Sequence, residues 1–200
     1  MTMTCAEPIS MTETHNQLSF VVVDCETTGV SPATDRILQV AAVVVNSSGE
    51  VLTSFDTIVR PENPSDYVHG AEHIHGISPA HVQNGMPLSL ALQNLVDIAD
   101  GHIFTAHNAP FDLGFIHAES ARVGLTHRFD SYIDTLTLSR RLDAEKSRRH
   151  TLDALCDHYG ITRDRAHEAL SDASATAILL THLLREMNVT SVDQLSELLA

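Results

Sequence analysis

An apolar run that ends in two acids stands near the start of this sequence. Residues 20–23 read Phe-Val-Val-Val, and the acids Asp24 and Glu26 come next. The β-branched run predicts a short strand that is buried on both faces. Because alternate side chains of a strand point to the same face, the two carboxylates should lie together at its carboxyl end, where open α/β sheets bind ligands. Adjacent carboxylates repel each other, so the pair indicates either a site for a cation such as Mg²⁺ or two acids solvated at a strand end.

The composition of the chain is that of one globular domain. Its 200 residues are 43% hydrophobic, and no apolar run reaches the roughly 18 residues of a membrane span. Residues 1–17 are polar and lack the apolar core of a secretory signal, so we predict a flexible N-terminal tail. The scattered cysteines Cys5, Cys25 and Cys156 then predict free thiols in a cytoplasmic protein.

The charge of the chain is strongly acidic but unevenly distributed. A formal net charge of −14 argues against a nucleic-acid partner. Seven of the 12 lysines and arginines nevertheless fall within residues 140–165, namely Arg140, Arg141, Lys146, Arg148, Arg149, Arg163 and Arg165. This segment either contacts phosphate groups or forms a solvated basic surface, and cations bound to the acids would cancel part of the negative charge.

Hydrophobic periodicity and turn residues predict an α/β domain with a mixed β-sheet of about five strands flanked by helices. After the first strand, we predict strands at 37–45 and 51–59, joined by a turn, and at 103–106 and 131–134. Helices are predicted at 87–99, 111–123, around 136–142, at 152–159 before a Gly160 cap, and at 169–187. The domain should therefore span 18–187, and 188–200 should form a short C-terminal helix with Ser191 as its N-cap.

A second acid-bearing segment joins the predicted fourth strand to a helix. It reads His107-Asn108-Ala109-Pro110-Phe111-Asp112. Proline suits a first helical turn, so Asp112 should lie in that turn, at the positive end of the helix dipole. The same position is also favourable for an ordinary first-turn acid.

A third segment pairs a histidine with an acid five residues later, His167 and Asp172. Five helical residues rotate by about 500°, which would leave the two side chains about 140° apart on one regular helix. They can converge only if His167 lies on the loop before the helix and Asp172 lies within it.

Together these segments resemble the three motifs of the DEDDh 3′→5′ exonucleases, a group that includes the proofreading epsilon subunit of bacterial DNA polymerase III. The matching motifs are Asp24-x-Glu26-Thr27-Thr28-Gly29, His107-Asn108-x-x-Phe111-Asp112 and His167-x-Ala169-x-x-Asp172, and His75-Gly76-Ile77-Ser78 is similar to a further signature between them. The resemblance covers about residues 18–187 and implies a ribonuclease-H-like fold.

The resemblance also implies a metal-dependent hydrolase that uses two divalent cations, Mg²⁺ or Mn²⁺. By analogy, Asp24 would bind both ions, Glu26 and Asp172 would complete one site, and Asp112 would hold the other. Two such ions can stabilise the attacking and leaving oxygens of a displacement at phosphorus. His167 would act as the general base, a role that suits imidazole because histidine ordinarily titrates near neutral pH.

A pocket for the terminal nucleotide is implied in the same way. By resemblance it would comprise Thr27, Thr28, His75, Asn108 and Phe111. The ring side chains could pack against an unpaired base, a contact that tolerates any sequence. For Phe111, a place in the hydrophobic core is the alternative interpretation.

The implied reaction removes nucleoside 5′-monophosphates from single-stranded or frayed DNA 3′ ends, with a DNA polymerase catalytic subunit as a candidate partner. An exoribonuclease or short-oligonucleotide nuclease of the same family is an alternative, because the chain is acidic and ends at Ala200 without the tail that epsilon subunits usually carry. A non-catalytic module that binds strand ends or a polymerase would be expected to lack an acid, and none is missing. The sequence gives no indication of the oligomeric state.

Overall fold

The computed structural model describes residues 18–63, 67–189 and 192–200, and these residues form a sheet with helices on both faces. The strands are β1 Ser19–Thr27, β2 Ile37–Asn46, β3 Val51–Arg60, β4 Met86–Pro87, β5 Ile103–Ala106 and β6 Tyr132–Asp134. The helices are α1 Glu72–His75, α2 Pro79–Gln83, α3 Leu88–Ala99, α4 Ala109–Arg122, α5 Thr135–Arg141, α6 Leu152–Tyr159, α7 Ala169–Glu186 and α8 Val192–Ser196.

The sheet is mixed, with the strand order β4-β3-β2-β1-β5-β6. Strands β1, β2 and β3 are antiparallel neighbours. Strand β5 runs parallel to β1, and β6 runs parallel to β5. The turn between β2 and β3 forms because the Asn46 side chain accepts hydrogen bonds from the backbone of Ser48 and Glu50, both at 3.0 Å. The predicted mixed sheet is confirmed, and the two-residue strand β4 adds a sixth strand.

The two faces of β1 pack against different helices. Val21, Val23 and Cys25 belong to the core beneath α3 and α4, whereas Phe20 and Val22 belong to the core beneath α5, α6 and α7. The pairing of β1 with β2 stays in register as far as residue 26. Because alternate residues of a strand lie on the same face, the side chains of Asp24 and Glu26 lie on the face of Phe20 and Val22 and point toward α7.

Several element boundaries differ from those predicted. Helix α4 begins at Ala109 because Pro110 occupies its first turn and Asn108 reverses the chain just before it, at φ 68°. Two short helices, α1 and α2, occupy a stretch for which no helix or strand was predicted, and α8 covers only Val192–Ser196 of the predicted C-terminal helix. The predicted tail and the Ser191 cap lie outside the described residues. Among the described helices, none is both long and apolar enough to cross a bilayer.

Candidate active site

Asp24 and Glu26 lie at the carboxyl end of β1, near the middle of the sheet. Both side chains are half-buried, and Cys25 between them points into the opposite core. A register shift follows directly, between Glu26 and Thr27, where β1 leaves its regular pairing with β2. The strand thus presents its two carboxylates side by side, as the alternation of the sequence predicted.

Asp112 is joined to the same strand by a hydrogen bond. Its side chain is 3% exposed and lies in the first turn of α4. Asp112 Oδ1 accepts a hydrogen bond from the backbone N–H of Cys25 at 3.0 Å. This contact holds the third carboxylate beside the first two.

Asp172 and His167 come from the start of α7 and the loop before it. His167 adopts a left-handed backbone conformation, φ 60°, two residues before the helix. Its backbone N–H donates to Asp172 Oδ2 at 3.2 Å. The loop placement that the five-residue spacing requires is therefore the one observed, and the exposed imidazole lies at the mouth of the site.

The four carboxylates are close enough to shift one another's ionisation. Burial raises the pKa of Asp24 well above its usual range, and the charges of Asp112, Glu26 and Asp172 raise it further. Burial and then the charge of Asp172 raise the pKa of Glu26 to about 7, and burial raises that of Asp112 to about 8. Such crowding of acids is unfavourable unless positive charge compensates it.

The donor atoms of the site fit hard divalent cations. Ligand atoms of Glu26, His167 and Asp172 all lie within 4.8 Å of one another. Carboxylate oxygens are the ligands that Mg²⁺ prefers, and Asp24 and Asp112 offer more of them alongside. The chain thus presents the acids that the two divalent cations implied by the sequence resemblance would require.

Arg163 supplies positive charge to the same cluster. Its Nη1 donates to Asp172 Oδ1 at 2.8 Å, and its Nη2 contacts the carboxylate of Asp153 on α6. The guanidinium therefore ties the loop after α6 to the first turn of α7. Arg163 belongs to the basic segment of residues 140–165, but no sequence pattern predicted this pairing, which joins positions nine residues apart across a loop.

The raised pKa values predict how stability should depend on pH when divalent cations are absent. A carboxyl whose pKa is higher in the folded state keeps its proton longer there, so the free energy of unfolding falls as pH rises through that window. For Glu26 the window runs from 4.5 to about 7, and for Asp112 from 3.8 to about 8. We therefore expect the metal-free protein to lose stability between about pH 5 and pH 8, measured as Tm by differential scanning calorimetry.

Divalent cations should reverse that loss at the upper end of the window. Ligand at 100 times its Kd stabilises the folded state by about 2.7 kcal/mol, which for a domain of this size corresponds to a rise in Tm of about 5–10 °C. A smaller rise is expected near pH 5, where the acids keep their protons. A Tm that does not respond to Mg²⁺ or Mn²⁺ at pH 8 would contradict the assignment of this cluster as a cation site.

The two threonines of the first motif are buried and bonded within their own loop. Thr27 Oγ1 donates to the carbonyl of Gly29 at 2.6 Å. Thr28 Oγ1 accepts from the backbone N–H of Arg36 at 3.0 Å and also contacts the Asp35 carboxylate at 3.4 Å. Their hydroxyls thus shape the turn beside the acids.

His75 is the last residue of α1, and the segment just before this helix packs directly against the first motif. A Cβ atom on Gly70 would stand 2.4 Å from the Thr28 carbonyl oxygen, so only glycine allows this close approach. His75 Nδ1 accepts from the Ile77 backbone at 3.0 Å, and Nε2 lies 3.2 Å from the Gly70 carbonyl. With both nitrogens occupied and its pKa lowered by burial, the neutral ring can offer a face to a base.

Phe111 and Asn108 belong to the segment that begins α4, next to Asp112 in the sequence. The Phe111 ring is half-buried, with its centroid 5.0 Å from that of Phe115 at the margin of the core. The ring therefore packs partly against the core and is partly exposed to solvent. Asn108 is exposed, and its backbone N–H donates to Asp134 Oδ1 at 2.8 Å.

Asp134 is a buried acid that the sequence analysis did not single out. It is the last residue of β6, and an acid at the carboxyl end of a strand, the signal that singled out Asp24 and Glu26 in β1, was also available for it. Its Oδ1 accepts from the backbone N–H groups of Asn108, Ala109 and Leu136, which fixes the turn of the second motif and caps α5. Asp134 therefore holds the backbone of the second motif in place.

Comparison with known proteins assigns this arrangement. The family model RNase_T, described as Exonuclease, matches residues 21–180. The DNA polymerase III PolC-type of Streptococcus suis is 33% identical over 201 residues, and that of Streptococcus pneumoniae is 35% identical over 183 residues. These alignments cover 96% and 90% of this chain but 14% and 12% of the relatives. The chain thus spans about a seventh of their length or less.

Solved structures share the fold at lower sequence identity. The nuclease domain of 3′hExo, a DEDDh family member bound to rAMP, superposes with a TM-score of 0.73 at 18% identity, over 85% of this chain and 93% of that chain. E. coli Exonuclease I in complex with a dT13 oligonucleotide gives 0.75 at 22% identity, over 86% of this chain and 43% of that one. Since the family model covers most of the chain and the PolC-type relatives are 33% and 35% identical over at least 90% of it, the chain belongs to the exonuclease family that this model describes.

Proposed function

We propose that this protein hydrolyses the terminal phosphodiester of single-stranded or frayed DNA 3′ ends and releases nucleoside 5′-monophosphates, with two Mg²⁺ or Mn²⁺ ions. The observation that carries the proposal is the convergence of four carboxylates from β1, α4 and α7. Asp112 reaches β1 through the Cys25 N–H, and the charges of Asp112, Glu26 and Asp172 all raise the pKa of Asp24. Such a site suits phosphate chemistry, in which charge stabilisation and positioning supply most of the rate.

The side chains divide the work of the reaction by position. Asp24, central among the acids, would hold both cations, with Glu26 and Asp172 on one side and Asp112 on the other. When bound, the cations would stabilise negative charge on the phosphate oxygens and make the attacking water easier to deprotonate. His167 would accept the proton of that water, since its imidazole is exposed beside Glu26 and Asp172.

DNA is the favoured substrate because the relatives identified by sequence are DNA polymerases of the PolC type. A proofreading role beside a polymerase catalytic subunit is consistent with that context. The alignment with 3′hExo bound to rAMP supports the same fold, and it makes RNA ends the natural second substrate to compare.

The proposed pocket predicts a preference for unpaired 3′ ends. The ring faces of His75 and Phe111 can pack against a terminal base only after that base leaves its duplex, which costs a few kcal/mol. We therefore expect blunt G·C-rich ends to be degraded at least about tenfold more slowly than mismatched ends. Hairpins that differ only in their last base pair provide the measurement, and equal initial rates would contradict the pocket.

A degradation assay tests the proposed function directly. Single-stranded DNA, single-stranded RNA and dinucleotides carry a 5′ label, and each is incubated with Mg²⁺, Mn²⁺ or EDTA. Stepwise shortening of DNA with either cation and none with EDTA is expected. Faster degradation of RNA or dinucleotides would reassign the substrate, binding without shortening would indicate a non-catalytic module, and full activity in EDTA would refute the cation mechanism.

A further inference from the structure

A second basic feature lies outside the cluster of acids. The loop between α5 and α6 folds around a cavity of about 450 Å³, which we name the basic pocket and which is lined by Arg140, Asp143, Ala144, Lys146, Arg148 and His150. Three of these side chains carry permanent positive charge and one carries negative charge. This local excess of positive charge contrasts with the net charge of −14 that the whole chain carries.

The single carboxylate in the basic pocket is already satisfied by its own loop. Asp143 accepts from the backbone and hydroxyl of Ser147 at 2.9 and 2.8 Å, from the backbone of Arg148 at 3.1 Å, and lies 3.2 Å from His150 Nε2. These hydrogen bonds lower the pKa of Asp143 to about 2. The acid therefore serves to fold the loop, and the charge of Arg148 also lowers its pKa.

Two cations of the basic pocket, Arg140 and Lys146, are exposed and keep donor capacity for a ligand. Among the described residues, no carboxylate forms an ion pair with either of them. Arg148 is held against α6 instead: its Nη1 contacts His158 Nε2, its guanidinium carbon lies 6.0 Å from the centroid of the Tyr159 ring, and its buried Nε has no hydrogen-bond partner in the described structure. Lys146 holds a left-handed conformation, φ 53°, which is unfavourable for a side chain other than glycine or asparagine. The loop thus keeps a strained residue whose charge faces solvent at the pocket.

The basic pocket is joined to the second motif. His107 Nε2 bonds to the backbone carbonyl of His150 at 3.0 Å, and His107 Nδ1 bonds to Thr135 Oγ1 at 2.9 Å. Arg140 lies in the last turn of the helix that Asp134 caps, and Asp134 also binds the backbone of Asn108. With seven residues at 1.5 Å each, α5 is about 10 Å long, which is the separation between that cap and the residues of the pocket at its other end.

We propose that the basic pocket binds a phosphate group of the substrate strand upstream of the terminal nucleotide, through Arg140 and Lys146. This inference rests on the proposed function, because it assumes that the strand enters beside the acids. A lysine or arginine that neutralises one phosphate releases counterions, so it contributes affinity that depends on salt and not on base sequence. The pocket would hold the strand while the carboxylates act on its end.

The test measures binding rather than hydrolysis. Anisotropy of a 5′-labelled dodecathymidylate is titrated with the full chain in Ca²⁺ over a series of NaCl concentrations, and a gel confirms that the strand stays intact. Arg140→Gln and Lys146→Gln should each weaken binding by about 3- to 10-fold and reduce the slope of log K against log salt by about 0.7. Both side chains are exposed, so both variants should keep the wild-type Tm.

Arg141→Gln is the matched control, since Arg141 is the next residue on the same helix, is exposed and does not line the pocket. Its affinity and salt slope should equal those of the wild type. Strands with one neutral methylphosphonate linkage then locate the contact. The wild type should lose affinity at one upstream linkage, and Lys146→Gln should be insensitive there.

The possible outcomes distinguish a phosphate of the strand from a free phosphate ion. They also distinguish a failure of this inference from a failure of the proposed function. Wild-type slopes and linkage profiles in both pocket variants would overturn the inference. Binding of inorganic phosphate that Lys146→Gln abolishes, with strand binding unchanged, would assign the pocket to a free anion and also overturn it. If the variants behave as expected but the wild type does not shorten DNA in Mg²⁺, the pocket stands and the proposed reaction fails.

Discussion

Replacing Asp24 with asparagine should reduce the rate of single-stranded DNA hydrolysis by at least about 10³-fold. Asp24 is the carboxylate whose ionisation the charges of Asp112, Glu26 and Asp172 all affect, so it lies within reach of every other acid of the site. Bound cations stabilise the transition state by several kcal/mol, and each 1.36 kcal/mol is a factor of ten in rate. If Asp24 is shared as proposed, its loss should weaken both proposed ion sites at once.

The same substitution should stabilise the protein when divalent cations are absent. The charged form of Asp24 is unfavourable in the folded state, as its raised pKa indicates, and a neutral amide of the same shape removes that cost. We therefore expect a higher Tm in EDTA at pH 8 together with a smaller increase on addition of Mg²⁺. This combination distinguishes a lost cation ligand from a misfolded variant.

Asp100→Asn serves as the control, because Asp100 is an exposed acid at the end of α3. Its rate, Tm and response to Mg²⁺ should match those of the wild type. Hydrolysis by Asp24→Asn within tenfold of the wild-type rate would contradict the assignment of Asp24 as the shared ligand.

Replacing His167 should lower the rate by about 10²–10⁴-fold, the range that general-base catalysis contributes. The contact between this residue and Asp172 uses the backbone N–H, at 3.2 Å, and therefore survives replacement of the side chain. His167→Ala should thus remove proton transfer while Asp172 keeps its position. Response of Tm to Mg²⁺ should change little, whereas Asp172→Asn should diminish it.

His167→Asn makes the experiment independent of backbone strain. The residue stands at φ 60°, a conformation that asparagine adopts more readily than alanine, and an amide cannot act as a base at neutral pH. Both variants should lose the rise of rate with pH that a histidine base gives, although water bound to cations titrates in the same range. His73→Ala, at an exposed histidine on α1, is the control and should retain the wild-type profile.

Near-normal turnover by both His167 variants at neutral pH would contradict the base assignment and leave the carboxylate site intact. A loss of activity accompanied by an equal loss of the Mg²⁺ response would instead make the imidazole a cation ligand, an outcome that its distance from Glu26 and Asp172 allows.

The sequence alone determined the features that depend on short-range periodicity. Alternation along β1 placed Asp24 and Glu26 on one face, Pro110 placed Asp112 in a first helical turn, and the spacing of His167 and Asp172 required a loop before α7. Each conclusion depends on the geometry of a single strand or helix turn, which a few neighbouring residues specify.

Only the tertiary structure decided which distant groups meet. The hydrogen bond from Cys25 to Asp112 joins positions 87 residues apart. The hydrogen bond between His107 and His150, which links the basic pocket to the second motif, joins positions 43 residues apart. Strand β4 has two residues and exists only because β3 offers it an edge. No local pattern encodes such contacts, since they arise when the cores on the two faces of the sheet close and bring loop ends together.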